Sequence, residues 1–144
     1  LHALNHNLIK EFKKDIKIKP ETKFGSNTRF DFLVTCKNYK AFIEVKNVTL
    51  SREKGIAEFP DAITSRGLKH INELSKANKK GYKIFILYLI QRDDCNYFKI
   101  ANDIDLDYSN SLTKAVKKKL KILCYDCKFF AKGIKLNKKI KFNI

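Results

Sequence analysis

The stretch that most constrains the fold is YKIFILYLI, residues 82–90, in which Lys83 is the only charged side chain. Side chains alternate between the two faces of an extended strand, so a run apolar at nearly every position needs packing on both sides. It therefore belongs at the centre of a sheet, and it is far short of the roughly 18 apolar residues that a membrane-spanning helix needs. The remainder of the chain has to supply neighbouring strands and covering helices.

The flanking segments read that way. Residues 4–14 (LNHNLIKEFKK) place Leu4, Leu8, Ile9 and Phe12 at helical spacing and predict a short amphipathic helix. DIKIK, TRFDFLV and AFIEVKNV then change to a period of two, with Gly25-Ser26-Asn27 and Lys37-Asn38 as turns, and predict three strands whose last two form a hairpin. AITSRGLKHINELSKANKKG predicts a second helix with Asp61 as N-cap, Ile63, Leu68, Ile71 and Leu74 on one side, and Gly81 as its stop. Beyond the central strand comes an acidic loop containing Asp93, Asp94, Asp103, Asp105 and Asp107. DYSNSLTKAVKKKL reads as a third helix, KILCYDCKFF as a strand, and IKLNKKIKFNI as a lysine-rich terminal hairpin or edge strands. The order α-β-β-β-α-β-α-β-β predicts an α/β fold with a mixed sheet flanked by helices, in one domain over 1–144.

Charge narrows the partners. Lys and Arg number 31 against 15 Asp and Glu, a formal charge of +16. Polyanions are the expected partners, since neutralising phosphates releases their condensed counterions. Only 4 of the 31 are Arg, however, a bias that AT-rich codon usage also produces and that a base-reading protein would not favour. Residues 1–50 sum to +5, 51–111 to +1 and 112–144 to +10, so a backbone-tracking stripe belongs in the last third, away from the acidic loop. The 4 Cys do not form a secreted disulfide framework, and the expected compartment is the cytoplasm. Cys124 and Cys127 lie three apart in a strand, on opposite faces, and lack a His at zinc-ligand spacing. The run from Asp103 to Asp107 is not an EF-hand, because Tyr108 stands where Gly is needed and Lys114 where the bidentate Glu belongs. Met is absent altogether, including at position 1, which suggests a fragment.

The chemistry concentrates between Gly25 and Lys46. Alternation puts Arg29 and Asp31 on one face of their strand and Phe30, Phe32 and Val34 on the other. On the next strand Phe42, Glu44 and Lys46 share a face. A turn centred on Lys37-Asn38 pairs positions whose numbers add to 75, which sets Asp31 opposite Glu44. Two like charges so placed are unfavourable unless compensated. Either Arg29, Asp31, Glu44 and Lys46 form a surface salt-bridge ladder, or the carboxylates hold a divalent cation such as Mg²⁺ or Mn²⁺, with Lys46 orienting a water.

The pattern Asp31 … Glu44-Val45-Lys46 resembles the PD-(D/E)xK nuclease superfamily. A longer ordered set resembles the sugar fermentation stimulation protein A (SfsA) family: Glu21, then Phe24-Gly25-Ser26-Asn27-Thr28-Arg29-Phe30-Asp31-Phe32, Glu44-Val45-Lys46-Asn47-Val48-Thr49-Leu50, Phe59-Pro60-Asp61-Ala62, Arg66-Gly67-Leu68-Lys69-His70 and Gln91-Arg92. The resemblance implies a restriction-endonuclease-like domain preceded in the family by an OB-like domain that is absent from this chain. It also implies DNA binding and a link to regulation of sugar metabolism genes. Carried over, Asp31 and Glu44 become metal-binding carboxylates, Lys46 the catalytic lysine, and the Val45 carbonyl a further ligand. An additional acid would be Glu21 or, on the first helix, Glu11, with Glu21 preferred for its place in the motif. Arg66, Lys69 and His70 share a helix face that either grips phosphate beside Arg29, with His70 carrying a proton, or is simply solvated. The expected function is a metal-dependent nuclease acting on DNA, with RNA and a homodimer both compatible. The alternative is a non-catalytic DNA-binding regulator.

Overall fold

The computed structural model describes residues 1–12 and 15–144. Its elements are α1 (His2–Asn5), β1 (Lys17–Phe24), β2 (Thr28–Cys36), β3 (Tyr39–Val48), β4 (Leu50–Glu53), β5 (Ile56–Phe59), α2 (Ser65–Lys79), β6 (Lys83–Ile90), β7 (Tyr97–Ile100), α3 (Leu106–Lys117), β8 (Lys121–Phe130), β9 (Gly133–Lys139) and β10 (Lys141–Asn143). A six-stranded sheet runs β1-β2-β3-β6-β8-β9, and a four-stranded sheet runs β10-β7-β5-β4. The apolar strand β6 lies at the centre of the larger sheet, parallel to both β3 and β8. Antiparallel pairs close each side, β1/β2/β3 at one and β8/β9 at the other. The fold is therefore the expected mixed α/β arrangement.

Each face of this sheet has its own core. Phe30, Phe42, Ile84, Ile86 and Tyr88 pack beneath α2 and α3, which contribute Ile71, Leu74, Tyr108 and Leu112. Val34, Ile43, Phe85, Leu87, Leu123 and Tyr125 pack beneath Leu4, Ile9 and Phe12 of the N-terminal segment. Cys124 belongs to the first core, and Cys127 borders the cleft on the second face, as alternation requires. All four Cys are free thiols. Among the described residues no helix is long and apolar enough to cross a membrane.

Local expectations differ from the structure in several places. The helix expected over 4–14 is the four residues of α1, residues 13 and 14 lying outside the described set. Asn7 adopts φ 54°, which no helix continues through, so Leu4 reaches the core from α1 but Ile9 and Phe12 from irregular chain. Helix α2 is capped by Thr64, whose hydroxyl accepts from the Gly67 N–H at 3.0 Å, rather than by Asp61, and Ile63 is left exposed before the cap. Strands β4, β5 and β7, of four residues each, do not appear in the expected order because so short a segment carries no readable period. Phe30 packs on the α2 face, opposite Phe32 and Val34, so alternation breaks at Asp31. The break coincides with Glu21, the residue across from Asp31 in the register, whose φ of 46° interrupts the ladder.

Two polar arrangements tie the layers together. The Asp105 carboxylate caps α3 by accepting from the Tyr108 N–H at 2.9 Å and also accepts from the Thr64 N–H at 2.8 Å. Arg52 on β4 donates to both oxygens of buried Glu58 and pairs with Asp103 at 2.6 Å, absorbing part of the acidic loop's charge.

A Cβ placed on Gly67 would lie 2.8 Å from the Thr64 side chain and 3.0 Å from Tyr108. Gly67→Ala gains about 1 kcal/mol of helix propensity but displaces the cap and overpacks the helix contact. The expected net loss is about 1 kcal/mol, measured by urea denaturation. The Arg52 hydrogen bonds hold the Glu58 carboxyl below the usual glutamate range. Its contribution to stability is thus present above that range and lost as pH falls through the depressed value. Arg52→Met removes the guanidinium but leaves Glu58 the residue-52 backbone N–H at 3.1 Å and Lys99 at 3.6 Å, so it should cost about 1–2 kcal/mol at neutral pH, and the gap from the parent should narrow as the buffer is made acidic.

Candidate metal and phosphodiester site

The site forms where two strands part. The β2/β3 ladder follows the expected register from Cys36↔Tyr39 to Phe32↔Ile43 and stops there, one position before Asp31 and Glu44. Beyond that point β2 remains paired with β1, and β3 continues beside β6. At the fork the Asp31 carboxylate takes the place of a ladder partner, accepting from the Val45 N–H at 2.7 Å. The N–H and C=O of one strand residue face the same neighbour, so the Val45 carbonyl also faces the fork.

The residues expected to act together are brought to this fork but divide across it. Asp31 and Glu21 border a cleft of about 710 Å³ beneath the N-terminal segment, with Val45 and Asn47 in its wall. Glu44 turns toward α2, where its Oε1 meets both Lys46 Nζ at 2.9 Å and the His70 Nδ1. Asp31 and Glu44 are consequently not a facing ladder pair, because the ladder has already ended. Both are nonetheless withdrawn from water. Burial pushes the Asp31 carboxyl above the usual range, opposed by the Val45 N–H and reinforced by the Glu44 charge. Burial acts upward on Glu44 too, but the His70 hydrogen bond and the Lys46 charge outweigh it and hold this carboxyl low. Among the described residues, Glu44 Oε2 is the buried side-chain polar atom left without a hydrogen-bond partner.

The cationic residues line the other opening. Arg29, Arg66, Lys69 and His70, with Asn27, Thr28 and Ser65, border a groove of about 530 Å³ on the α2 side. His70 is buried, with its ring edge toward Phe30, while Arg66 and Lys69 are exposed. Lys69 Nζ donates to the Asn27 carbonyl at 2.9 Å, and Arg29 lies 3.8 Å from Glu21. Glu11 is drawn away from the fork, accepting from Tyr125 at 2.9 Å and pairing with Lys139 at 2.5 Å. The direct His70–Glu44 contact joins residues 26 apart, and no local pattern announces it. The strand motif and the helix motif that contain them are the only signals that bear on it.

The donor set suits a hard cation: two carboxylates, one of them with a free oxygen, and a backbone carbonyl are all oxygen ligands. Among the described residues no three His, Cys, Asp or Glu side chains already form a closed cluster, so such an ion would need the carbonyl and water as well.

Comparison with known proteins finds relatives over nearly the whole chain. A sugar fermentation stimulation protein homolog of Pelagibacter ubique (strain HTCC1062) is 50% identical over 140 residues, covering 97% of this chain and 60% of that relative. The homolog of Ruegeria sp. (strain TM1040) is 41% identical over 135 residues, covering 93% and 58%. The solved structure of Pyrococcus furiosus SfsA in complex with Ca²⁺ matches with a TM-score of 0.89 at 26% identity, over 99% of this chain and 61% of that one. The chain thus spans about three-fifths of the length of these relatives, and its core resembles a restriction-endonuclease-like fold. The family described as sugar fermentation stimulation protein RE domain matches residues 1–133, a span that includes the fork, the helix carrying His70 and the strands between them, and the chain belongs to that family, SfsA.

Proposed function

We propose that the fork is a phosphodiester-hydrolysing site dependent on Mg²⁺ or Mn²⁺ in a DNA-binding domain. The observation that carries this is the Glu44 carboxylate, buried with one oxygen unpartnered and near enough to Asp31 for its charge to act on the Asp31 carboxyl. Leaving such an atom unpaired costs about 1–3 kcal/mol, which a bound cation would recover. A solved relative is a Ca²⁺ complex, and Ca²⁺ shares the oxygen-ligand preference of Mg²⁺ and Mn²⁺.

Asp31, Glu44 and the Val45 carbonyl would hold the ion, with Glu21 at the cleft edge as the further acid. A cation there lowers the pKa of water and neutralises charge on a phosphoryl oxygen. Lys46, on Glu44 Oε1, orients the attacking water and opposes the charge that develops on phosphorus-bound oxygen. His70 fixes the Glu44 rotamer from the helix side. Arg29, Arg66 and Lys69 bind flanking phosphates without reading bases. The preferred polymer is DNA, with RNA as the comparison substrate.

A second reading has its own support. Glu44 Oε1 is already shared by Lys46 and His70, and Asp31 already accepts the Val45 N–H, so the carboxylates are largely compensated by the protein itself. That arrangement fits a DNA-binding regulator, of the kind linked to sugar metabolism genes, that does not cut.

The two readings part in a nuclease assay on single-stranded, duplex and branched DNA with Mg²⁺ or Mn²⁺. Hydrolysis should fall at least about 100-fold in Lys46→Ala and disappear in Asp31→Ala, with DNA affinity retained in both. An absence of metal-dependent cleavage on every substrate leaves the regulator reading. Independently of cleavage, Arg66→Ala combined with Lys69→Ala should lower the slope of log affinity against log salt by about 2 on duplex DNA, read by fluorescence anisotropy.

A further inference from the structure

The cleft containing Asp31 does not end at the fork. It crosses the sheet from Glu21 and Asp31, past Val45, Leu87 and Leu89, to Cys127 and then Ile134 and Leu136. In strand order this is β1, β2, β3, β6, β8, β9, the full width of the large sheet. From β2 to β9 it spans about 19 Å at the usual strand spacing. Its far end opens onto the tip of the β8–β9 hairpin.

That tip has an unusual surface. Phe129, Phe130 and Ile134 are 51%, 56% and 44% exposed, although the protein has ample core in which to bury them. Phe129 pairs with Ile134 two positions beyond the Cys127–Leu136 pair, and alternation places it on the same face as Cys127. The two side chains therefore continue the apolar floor of the cleft outward. Exposed Lys132 stands at the turn and exposed Lys138 farther along β9, while Lys128 and Lys135 belong to the alternate face with Phe130, Lys135 Nζ lying 5.5 Å from its ring centre. The hairpin lies in the third of the chain that sums to +10.

We propose that this hairpin and cleft bind an unpaired nucleic-acid strand, with Phe129 stacking on a base at the cleft mouth and the surrounding lysines taking its phosphates. The proposal rests on the reading of the fork as a phosphodiester site, toward which the strand is led. Exposed aromatic rings interleaved with cations form a stacking platform for single strands. A duplex, whose base faces are already stacked, would use the lysines and leave the rings idle. A second copy of this chain is a poor occupant, because the β9 edge presents Lys135 and Lys138, which repel their own image. A membrane surface suits the tip, yet gives no role to a cleft that continues from the tip to Asp31.

The chain has no Trp, so Phe129→Trp introduces a single fluorescent reporter at the tip. The test titrates the 144-residue protein, in EDTA so that no cleavage intervenes, with an oligothymidylate, a duplex of equal length, and phosphatidylserine vesicles. The oligothymidylate should quench the introduced indole and bind about tenfold more tightly than the duplex at equal salt. Phe129→Ala, at an exposed position that leaves folding intact, should lose about tenfold for the single strand and little for the duplex. Equal binding of both polymers, no loss in Phe129→Ala, an indole that responds only to vesicles, or self-association abolished by Phe129→Ala would each overturn the proposal. Quenching and discrimination without any Lys46-dependent hydrolysis would uphold it while the hydrolytic reading falls. Hydrolysis with no discrimination would do the reverse.

Discussion

Much of this protein hangs on one hydrogen bond, from the Val45 N–H to the Asp31 carboxylate. A strand that leaves its neighbour normally strands a backbone donor, and a buried orphan donor is expensive. Here a side chain from the departing strand supplies the acceptor, so β2 and β3 can part without an unpaired N–H. The separation turns Val45 toward open space, brings β3 alongside β6 for its remaining length, and leaves room for the cleft that begins at Asp31. An amide or an alanine at position 31 would alter the shape of the fork as well as its charge.

The second determinant is the unequal treatment of two neighbouring carboxylates. Asp31 has a single neutral donor and rises above its usual range, whereas Glu44 is flanked by Lys46 and His70 and falls below it. Opposite displacement of adjacent acids is a common property of sites where charge is managed for chemistry. The groove of Arg29, Arg66 and Lys69 adds a positive field on the helix side. The surface is therefore divided by charge: compensated acids inside the fork, cations along its rims, and an acidic loop quenched by Arg52 and Arg92.

Some of this was legible in the residues. The Lys37-Asn38 turn is tight enough to set the hairpin register, and every observed β2/β3 pair obeys it. The central place of β6 follows from its two apolar faces, and Gly81, at φ 89°, does stop α2. The end of the ladder was not legible, because it depends on a left-handed Glu21 and on the Asp31 bond, neither of which leaves a periodic trace. Helix α1 looked longer because Ile9 and Phe12, buried from irregular chain, stand at helical spacing from Leu4, whereas Leu8, which the same spacing placed with them, is exposed. Choosing Thr64 over Asp61 as cap required knowing that Asp105, 41 residues on, would claim the Thr64 N–H. The pairing of His70 with Glu44 is likewise a product of packing α2 on the sheet.

Asp105 carries a further consequence. One carboxylate fastens the first turn of α3 and the residue that caps α2, so the two helices start from a common anchor. His70 lies six residues after Thr64, about 9 Å along the axis of α2, and its ring must meet the Glu44 carboxylate. The placement of that ring is thus surveyed from a benchmark more than a helical turn away. Tolerance at the fork is set where α2 and α3 begin, and a slip of even a fraction of a helical turn there would break the His70–Glu44 contact.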